Sequence, residues 1–196
     1  MGRENTKEDP VTLLKKAIKA GIGIFQYREK DARNQTYLER LKLARQLQKL
    51  CAQHNIPFII NDDIRLAKEL QADGLHLGQD DMQISEARRE VGNSMIIGIS
   101  TSRVEEALEA EQSGADYIGV GPIYQTSTKK DAKQPVGLER LHEIRNKVQL
   151  PIVAIGGIKV DNASAVFASG ANAVAVITAL TNSNNLIETV QELKYS

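Results

Sequence analysis

Residues 114–130 read Gly-Ala-Asp-Tyr-Ile-Gly-Val-Gly-Pro-Ile-Tyr-Gln-Thr-Ser-Thr-Lys-Lys, from Gly114 to Lys130. The first half predicts a buried strand: Tyr117, Ile118 and Val120 favour β structure, and Gly119 and Gly121 take little room between them. Pro122 ends the strand, having no N–H for a ladder. Three hydroxyls, Thr126, Ser127 and Thr128, then lead into Lys129 and Lys130. Hydroxyls and ammonium groups hung from a strand's C-terminal end suit anionic oxygens such as phosphate, although a solvated loop has the same composition.

The joint that opens this stretch recurs. Ala72-Asp73-Gly74, Gly114-Ala115-Asp116 and Gly170-Ala171-Asn172 each end a helical segment and start an apolar strand. Strands are expected at Ile22 to Arg28, Pro57 to Asn61, Gly74 to Leu77, Met95 to Ser100, Tyr117 to Gly121, Pro151 to Ile155 and Ala173 to Ile177. The chain opens on a helix, with Asp9 as N-cap, Pro10 in the first turn and Gly21 as stop. The next helix carries the stripe Leu38, Leu41, Ala44, Leu47, Leu50 and Cys51, which places Cys51 in the core. Repeated βα units indicate an α/β fold with a parallel sheet, either doubly wound or a (β/α)8 barrel. A barrel starts with a strand and needs about 200 residues. The simplest account is a (β/α)8 TIM barrel, residues 1–196 forming one domain, whose first strand is missing from this sequence. A seven-stranded open sheet is the rival.

Composition narrows the classes. Lys plus Arg balances Asp plus Glu at 25 each, which gives no basic excess for nucleic acid or an anionic membrane. One cysteine allows no internal disulfide. No apolar run is long enough for a membrane span and the start is polar, so a cytoplasmic protein is expected.

The polar motifs gather at one end of the strands. Gln26, Arg28 and Lys30, then Asn61 and Asp62, Asp81, Ser100, Thr126 to Lys129, Gly157 and Thr178 all close or follow strand C-termini, the rim where barrel active sites sit. Asp62 and Asp81, on consecutive strand ends, suit one hard cation, although an aspartate there also serves as a helix N-cap, the role read for Asp63. Arg28, Lys30 and Lys129 suit a diphosphate, and Gly156-Gly157 with Ile177-Thr178 offers N–H groups for a second phosphate. His76, on an inward strand position, is either a core histidine or a ligand contact.

Taken in order, Gln-Tyr-Arg-Glu-Lys at 26–30, Asn-Asp-Asp at 61–63 with Asp81 downstream, Gly-Ile-Ser at 98–100, the stretch from Gly119 to Lys130 and Ala-Ile-Gly-Gly-Ile at 154–158 resemble the motif set of the thiamine-phosphate synthase family. The match runs from Asp9 to Leu193, and it is the ordered set that is specific. The resemblance implies a (β/α)8 barrel enzyme, a transferase that couples hydroxymethylpyrimidine diphosphate to hydroxyethylthiazole phosphate and releases diphosphate. It implies Gln26, Tyr27, Arg28, Glu29, Lys30, Asn61, Ser100 and Lys129 around the pyrimidine diphosphate, with Arg28, Lys30, Ser100 and Lys129 catalytic. It implies Mg²⁺ on Asp62 and Asp81, and Thr126, Ser127, Thr128, Gly157, Ile177 and Thr178 around the thiazole phosphate. Its partners are these small molecules, not nucleic acid or membrane, and a homo-oligomer is left open. Thr178 stands where many members have serine. Met1-Gly2 is the expected tail of the missing strand. A thiazole tautomerase-like relative is the near alternative, but it carries a histidine where this chain has Pro122. A non-catalytic phosphate-binding barrel is the other.

Overall fold

The computed structural model describes residues 1–30, 35–126 and 134–194. Helices and strands alternate: α1 (Pro10–Ala20), β1 (Phe25–Tyr27), α2 (Tyr37–Gln53), β2 (Phe58–Asn61), α3 (Ile64–Leu70), β3 (Gly74–Leu77), α4 (Ile84–Val91) and β4 (Ile96–Thr101). There follow α5 (Val104–Gln112), β5 (Tyr117–Val120), α6 (Gly137–Arg145), β6 (Ile152–Ile155), α7 (Val160–Ala168), β7 (Ala173–Ala175), α8 (Thr178–Thr181) and α9 (Leu186–Lys194). The sheet order is β1-β2-β3-β4-β5-β6-β7, every pair parallel. That is a half-barrel with the order of a (β/α)8 barrel and one strand fewer. Beside β1, Met1 donates to the Gln26 carbonyl (2.5 Å) and accepts from the Arg28 N–H (3.3 Å), the two bonds of a parallel rung on Tyr27. Met1 therefore holds the position expected for it. On the outside, α9 packs against α1.

The recurrent joints have a physical role. Asp73 Oδ2 accepts from the Phe58 N–H at 2.8 Å, Asp116 Oδ2 from Ile97 at 2.7 Å, and Asn172 Oδ1 from Ile152 at 2.8 Å. The same three residues donate their own N–H to the carbonyls of Phe58, Ile97 and Ile152. Each joint thus pins the first rung of the preceding strand and sets its register. Arg88 of α4 and Arg145 of α6 reach across to Asp116 (2.7 Å) and Asn172 (3.3 Å) and brace two of the three.

The termini of α1 are as the sequence predicts. Asp9 accepts from the Thr12 N–H (2.9 Å) and Gly21 closes the helix at φ 93°. In α2 the buried stripe is Leu41, Leu43, Ala44, Leu47, Leu50 and Cys51, whereas Leu38 is 72% exposed. The helix begins with Thr36 and Glu39 capping each other, and in its first turn it is Tyr37 that packs toward the core, with Arg65 4.1 Å over its ring. β1 and β7 are shorter than expected, and α4 is a helix for which the sequence reading has no bounds.

Register decides which side chains face the barrel interior. Asn61 pairs with His76, His76 with Gly98 and Gly98 with Tyr117, so these four share one face and one layer. Ser100 and Gly119 pair in the layer nearer the C-terminal rim. The alternate residues Phe58, Ile60, Leu75, Leu77, Ile97, Ile118 and Val120 are fully buried under the helices.

Candidate active site

The site forms where the strands end. Asn61 closes β2, and the next residue, Asp62, takes left-handed geometry (φ 64°) while its N–H returns to the His76 carbonyl at 2.8 Å. A non-glycine residue tolerates this conformation best when it is Asp or Asn, and such outliers concentrate at functional sites. The turn aims Asp62 toward Lys30, with which it forms an ion pair, the carboxylate 21% exposed and the ammonium 47%. Asp81 comes in from the turn after β3, its Oδ2 held by the Gly78 N–H at 2.6 Å. Burial pushes the Asp62 carboxyl above the usual carboxylate range; Lys30 opposes the shift and the adjacent Asp81 carboxylate adds to it. Burial works against the charge of Lys30, but Asp62 and then Asp81 outweigh it and its pKa is raised. Tyr27, Glu29, Lys30, Asn61, Asp62 and Asp81 line a cavity of about 320 Å³. A hollow of about 400 Å³ over α2 lies away from the strand ends and is lined by Leu38, Leu41 and the polar side chains of that helix.

Two juxtaposed carboxylates beside such a cavity fit a hard divalent cation, which lifts their mutual repulsion and fills its remaining positions with water or phosphate oxygens. Among the described residues no group of three or more His, Cys, Asp or Glu side chains converges, so the chain's own donors would be this pair. Asp63, next in sequence, has the other role: it caps α3 through the Leu66 N–H (2.9 Å) and pairs with Arg40 (2.9 Å).

Arg28 is 5% exposed and ion-paired to Glu4 at 3.1 Å. Nothing in the motif reading pointed to Glu4, which reaches Arg28 from the turn Arg3–Asn5. Gln26 faces the barrel interior in the layer of Ile59, whereas Tyr27 packs outward against Phe58 and its hydroxyl reaches Glu29 at 3.3 Å. Glu29 also accepts from the Arg3 N–H at 3.2 Å. Ser100 lies inward, its Oγ 2.9 Å from His76 Nε2, and Tyr117 Oη is 2.8 Å from His76 Nδ1. Tyr117 was read from sequence only as a β former; the signal for it is glycine at the paired positions, Gly98 opposite it and Gly119 opposite Ser100.

The second group gathers across β5, β6 and β7. The chain after β5 runs along the end of β6, with Ile123 N–H on the Ile155 carbonyl (2.8 Å) and Tyr124 N–H on that of Gly156 (3.1 Å). Gly157 has φ 68°, and a Cβ there would press on the Gln125 carbonyl and Tyr124, so this close passage requires glycine. Ile155 pairs with Ala175, which brings Gly157 and Ile177 to the same height, with Thr178 starting α8. Thr126 follows Gln125, the last residue of this passage seen against Gly157. Ser127, Thr128 and Lys129 lie outside the described residues.

A family model described as Thiamine monophosphate synthase matches residues 1–180. The thiamine-phosphate synthase of Bacillus velezensis is 47% identical over 186 residues, covering 94% of this chain and 83% of that protein. That of Bacillus cereus is 45% identical over 194 residues, covering 98% of this chain and 88% of its own. The solved structure of thiamine phosphate pyrophosphorylase from Pyrococcus furiosus matches with a TM-score of 0.87 at 34% identity, over 99% of this chain and 91% of that one.

Proposed function

The chain belongs to the thiamine monophosphate synthase family, and from that membership we propose how its own residues divide the work of the reaction. It is an enzyme, a transferase that joins hydroxymethylpyrimidine diphosphate to hydroxyethylthiazole phosphate to give thiamine phosphate and diphosphate. The observation that carries the assignment of roles is the Asp62–Asp81–Lys30 cluster at the ends of β2 and β3. Asp62 and Asp81 would hold Mg²⁺, whose positive charge stabilises the departing diphosphate.

Lys30 stands beside that pair and neutralises the oxygens of the leaving group, together with Arg28 and Lys129. Arg28 changes partner from Glu4 to diphosphate on binding. Gln26, Asn61 and Ser100 orient the pyrimidine end, with Tyr27 and Glu29 holding the strand end behind them. Thr126 to Thr128, Gly157, Ile177 and Thr178 hold the thiazole phosphate across the rim. The electron-rich aminopyrimidine stabilises a methylene cation, so the bond to diphosphate breaks before the thiazole nitrogen attacks. That nitrogen carries no proton, so no general base is needed, which accounts for a site built of carboxylates, cations and hydroxyls. Holding two rings face to face supplies up to about 7–11 kcal/mol of effective molarity.

Incubating the protein with both substrates and Mg²⁺ tests this reading. Thiamine phosphate and diphosphate should appear in equal amounts and stop appearing on chelation. Product formation unaffected by chelation would overturn the metal assignment, and no product under any condition would overturn the role assignment as a whole.

A further inference from the structure

The barrel interior holds a polar network that the assignment above uses only at Ser100, its end nearest the rim. His76 is 5% exposed and sits between Tyr117 and Ser100, with Tyr117 Oη 2.8 Å from Nδ1 and Ser100 Oγ 2.9 Å from Nε2. The rings of His76 and Tyr117 lie 5.5 Å apart, tilted by 32°. Two glycines make the space: a Cβ on Gly98 would run into the Tyr117 ring, and one on Gly119 would meet His76 Cε1 at 3.0 Å. Three consecutive strands thus contribute to one packed arrangement, since His76 stands inward on β3, Ser100 on β4 and Tyr117 on β5.

Hydrogen-bond arithmetic gives the network a direction. A phenol is a better hydrogen-bond donor and a poorer acceptor than an alcohol, so of the two hydroxyls flanking a neutral His76 it is that of Tyr117 that gives its proton to the bare nitrogen. That nitrogen is His76 Nδ1, the acceptor beside the phenol. A neutral imidazole accepting at Nδ1 carries its proton on Nε2, and it donates that proton to Ser100 Oγ. The serine oxygen is thereby engaged as an acceptor, and the serine's own proton is left to point elsewhere. In the reverse sense the serine would spend its proton on His76 and offer only a lone pair to the site.

We infer that Tyr117, His76 and Ser100 form one directional hydrogen-bond chain, in which Tyr117 and His76 are positioning residues that present the Ser100 hydroxyl as a donor to an acceptor atom of the bound pyrimidine diphosphate. This deepens the proposed function and rests on its placement of Ser100 at that substrate. The structural logic is that of an outer shell that fixes the orientation of a group in contact with substrate. A threefold hydroxyl rotor becomes a fixed donor, so less order has to be imposed when the substrate arrives.

Two measurements test the chain. The first needs no substrate: ¹⁵N NMR of the imidazoles in the full-length protein. The chain has three histidines, so His54→Gln and His142→Gln variants assign the His76 signals. The expected state has Nε2 protonated and Nδ1 bare, and Tyr117→Phe should shift it toward the Nδ1–H form. The second is a double-mutant cycle in kcat/KM. Tyr117→Phe keeps the ring over Gly98 and removes only the hydroxyl; it should lower kcat/KM for the pyrimidine diphosphate about tenfold, the size of one oriented hydrogen bond, and leave KM for the thiazole phosphate unchanged. Ser100→Ala should cost at least as much, and adding Tyr117→Phe to it should cost nothing more, because the relay acts through the serine. His76→Gln, which can still accept and donate, should keep more activity than His76→Leu. An Nδ1–H tautomer in the native protein, or additive effects of the two substitutions, would overturn the relay. A Ser100→Ala enzyme with undiminished turnover would instead overturn the placement of Ser100 at the substrate, a result the NMR experiment cannot produce.

Discussion

Replacing Asp62 with Asn separates catalysis from stability. Asn adopts the left-handed φ of 64° as readily as Asp, so the backbone turn at the end of β2 should survive. The lost ion pair is half in solvent, with Lys30 47% and Asp62 21% exposed, and pairs of that kind contribute about 0–1 kcal/mol. Against that loss, the substitution removes both the burial of a charge, which is the main cause of the raised Asp62 pKa, and the repulsion from Asp81 that adds to it. The net change in unfolding free energy should therefore stay within about 1 kcal/mol. Turnover should suffer far more. Removing one preorganised contribution to charge stabilisation costs about 3–4 kcal/mol, which is roughly 10²–10³-fold in rate. The assay is steady-state formation of thiamine phosphate across a Mg²⁺ titration, paired with thermal unfolding with and without the metal. Ligand present at about 100 times its Kd adds about 2.7 kcal/mol to the native chain, and that increment should vanish in Asp62→Asn. Near-normal turnover of the variant at limiting Mg²⁺ would refute the reasoning. Asp63→Ala is the matched control: it loses the cap on Leu66 and the Arg40 pair, so it should cost about 1 kcal/mol of stability and little activity.

Glu106, 6% exposed, accepts from the Ser102 N–H (2.6 Å) and the Arg103 Nε–H (2.9 Å). Burial disfavours its charge, but the Ser102 N–H and then Arg103 outweigh it and hold the pKa below the ordinary value. A depressed carboxylate stabilises the fold above the unfolded-state pKa, and the contribution is lost as pH falls through the lower folded value. Glu106→Gln should cost about 1–3 kcal/mol at pH 7 and flatten the acid limb of stability against pH, read by urea unfolding; an unchanged limb would refute it. Cys51 is fully buried, and burial pushes its thiol up to about 12. A thiol reagent at pH 8 should label it only at the rate of opening, and fast labelling of the native protein would contradict its place in the core.

The architecture was legible because its cues are local. Asp73, Asp116 and Asn172 recur at the same point of three βα units, and the structure shows why: each bonds both backbone groups of a neighbouring first rung. The polar residues at strand ends were legible for the same reason, since a strand's end is visible in the sequence and the barrel brings the ends together. What meets across the barrel was not. Tyr117 reads as one more β-favouring strand residue until register puts it beside His76 and over Gly98. Glu4 precedes every motif, and its contact with Arg28 depends on how the turn Arg3–Asn5 lies over β1. Leu38 keeps the helical period with Leu41, but periodicity cannot tell that Tyr37, not Leu38, turns inward at the start of α2.

The order of the sheet also bears on how the chain folds. Among the described residues every rung joins strands adjacent in sequence, and no pair is more widely separated than Ile118 and Ile152. Such a ladder can zip from any nucleus, one loop closure at a time, each at modest entropic cost. The packing of α9 on α1 is different in kind, because it ties the two ends of the chain and gains nothing until both have formed. It should therefore be the last contact made and the first released. In amide exchange, α1 and α9 would open together as a low-energy unit while β3, β4 and β5 hold their protection up to global unfolding.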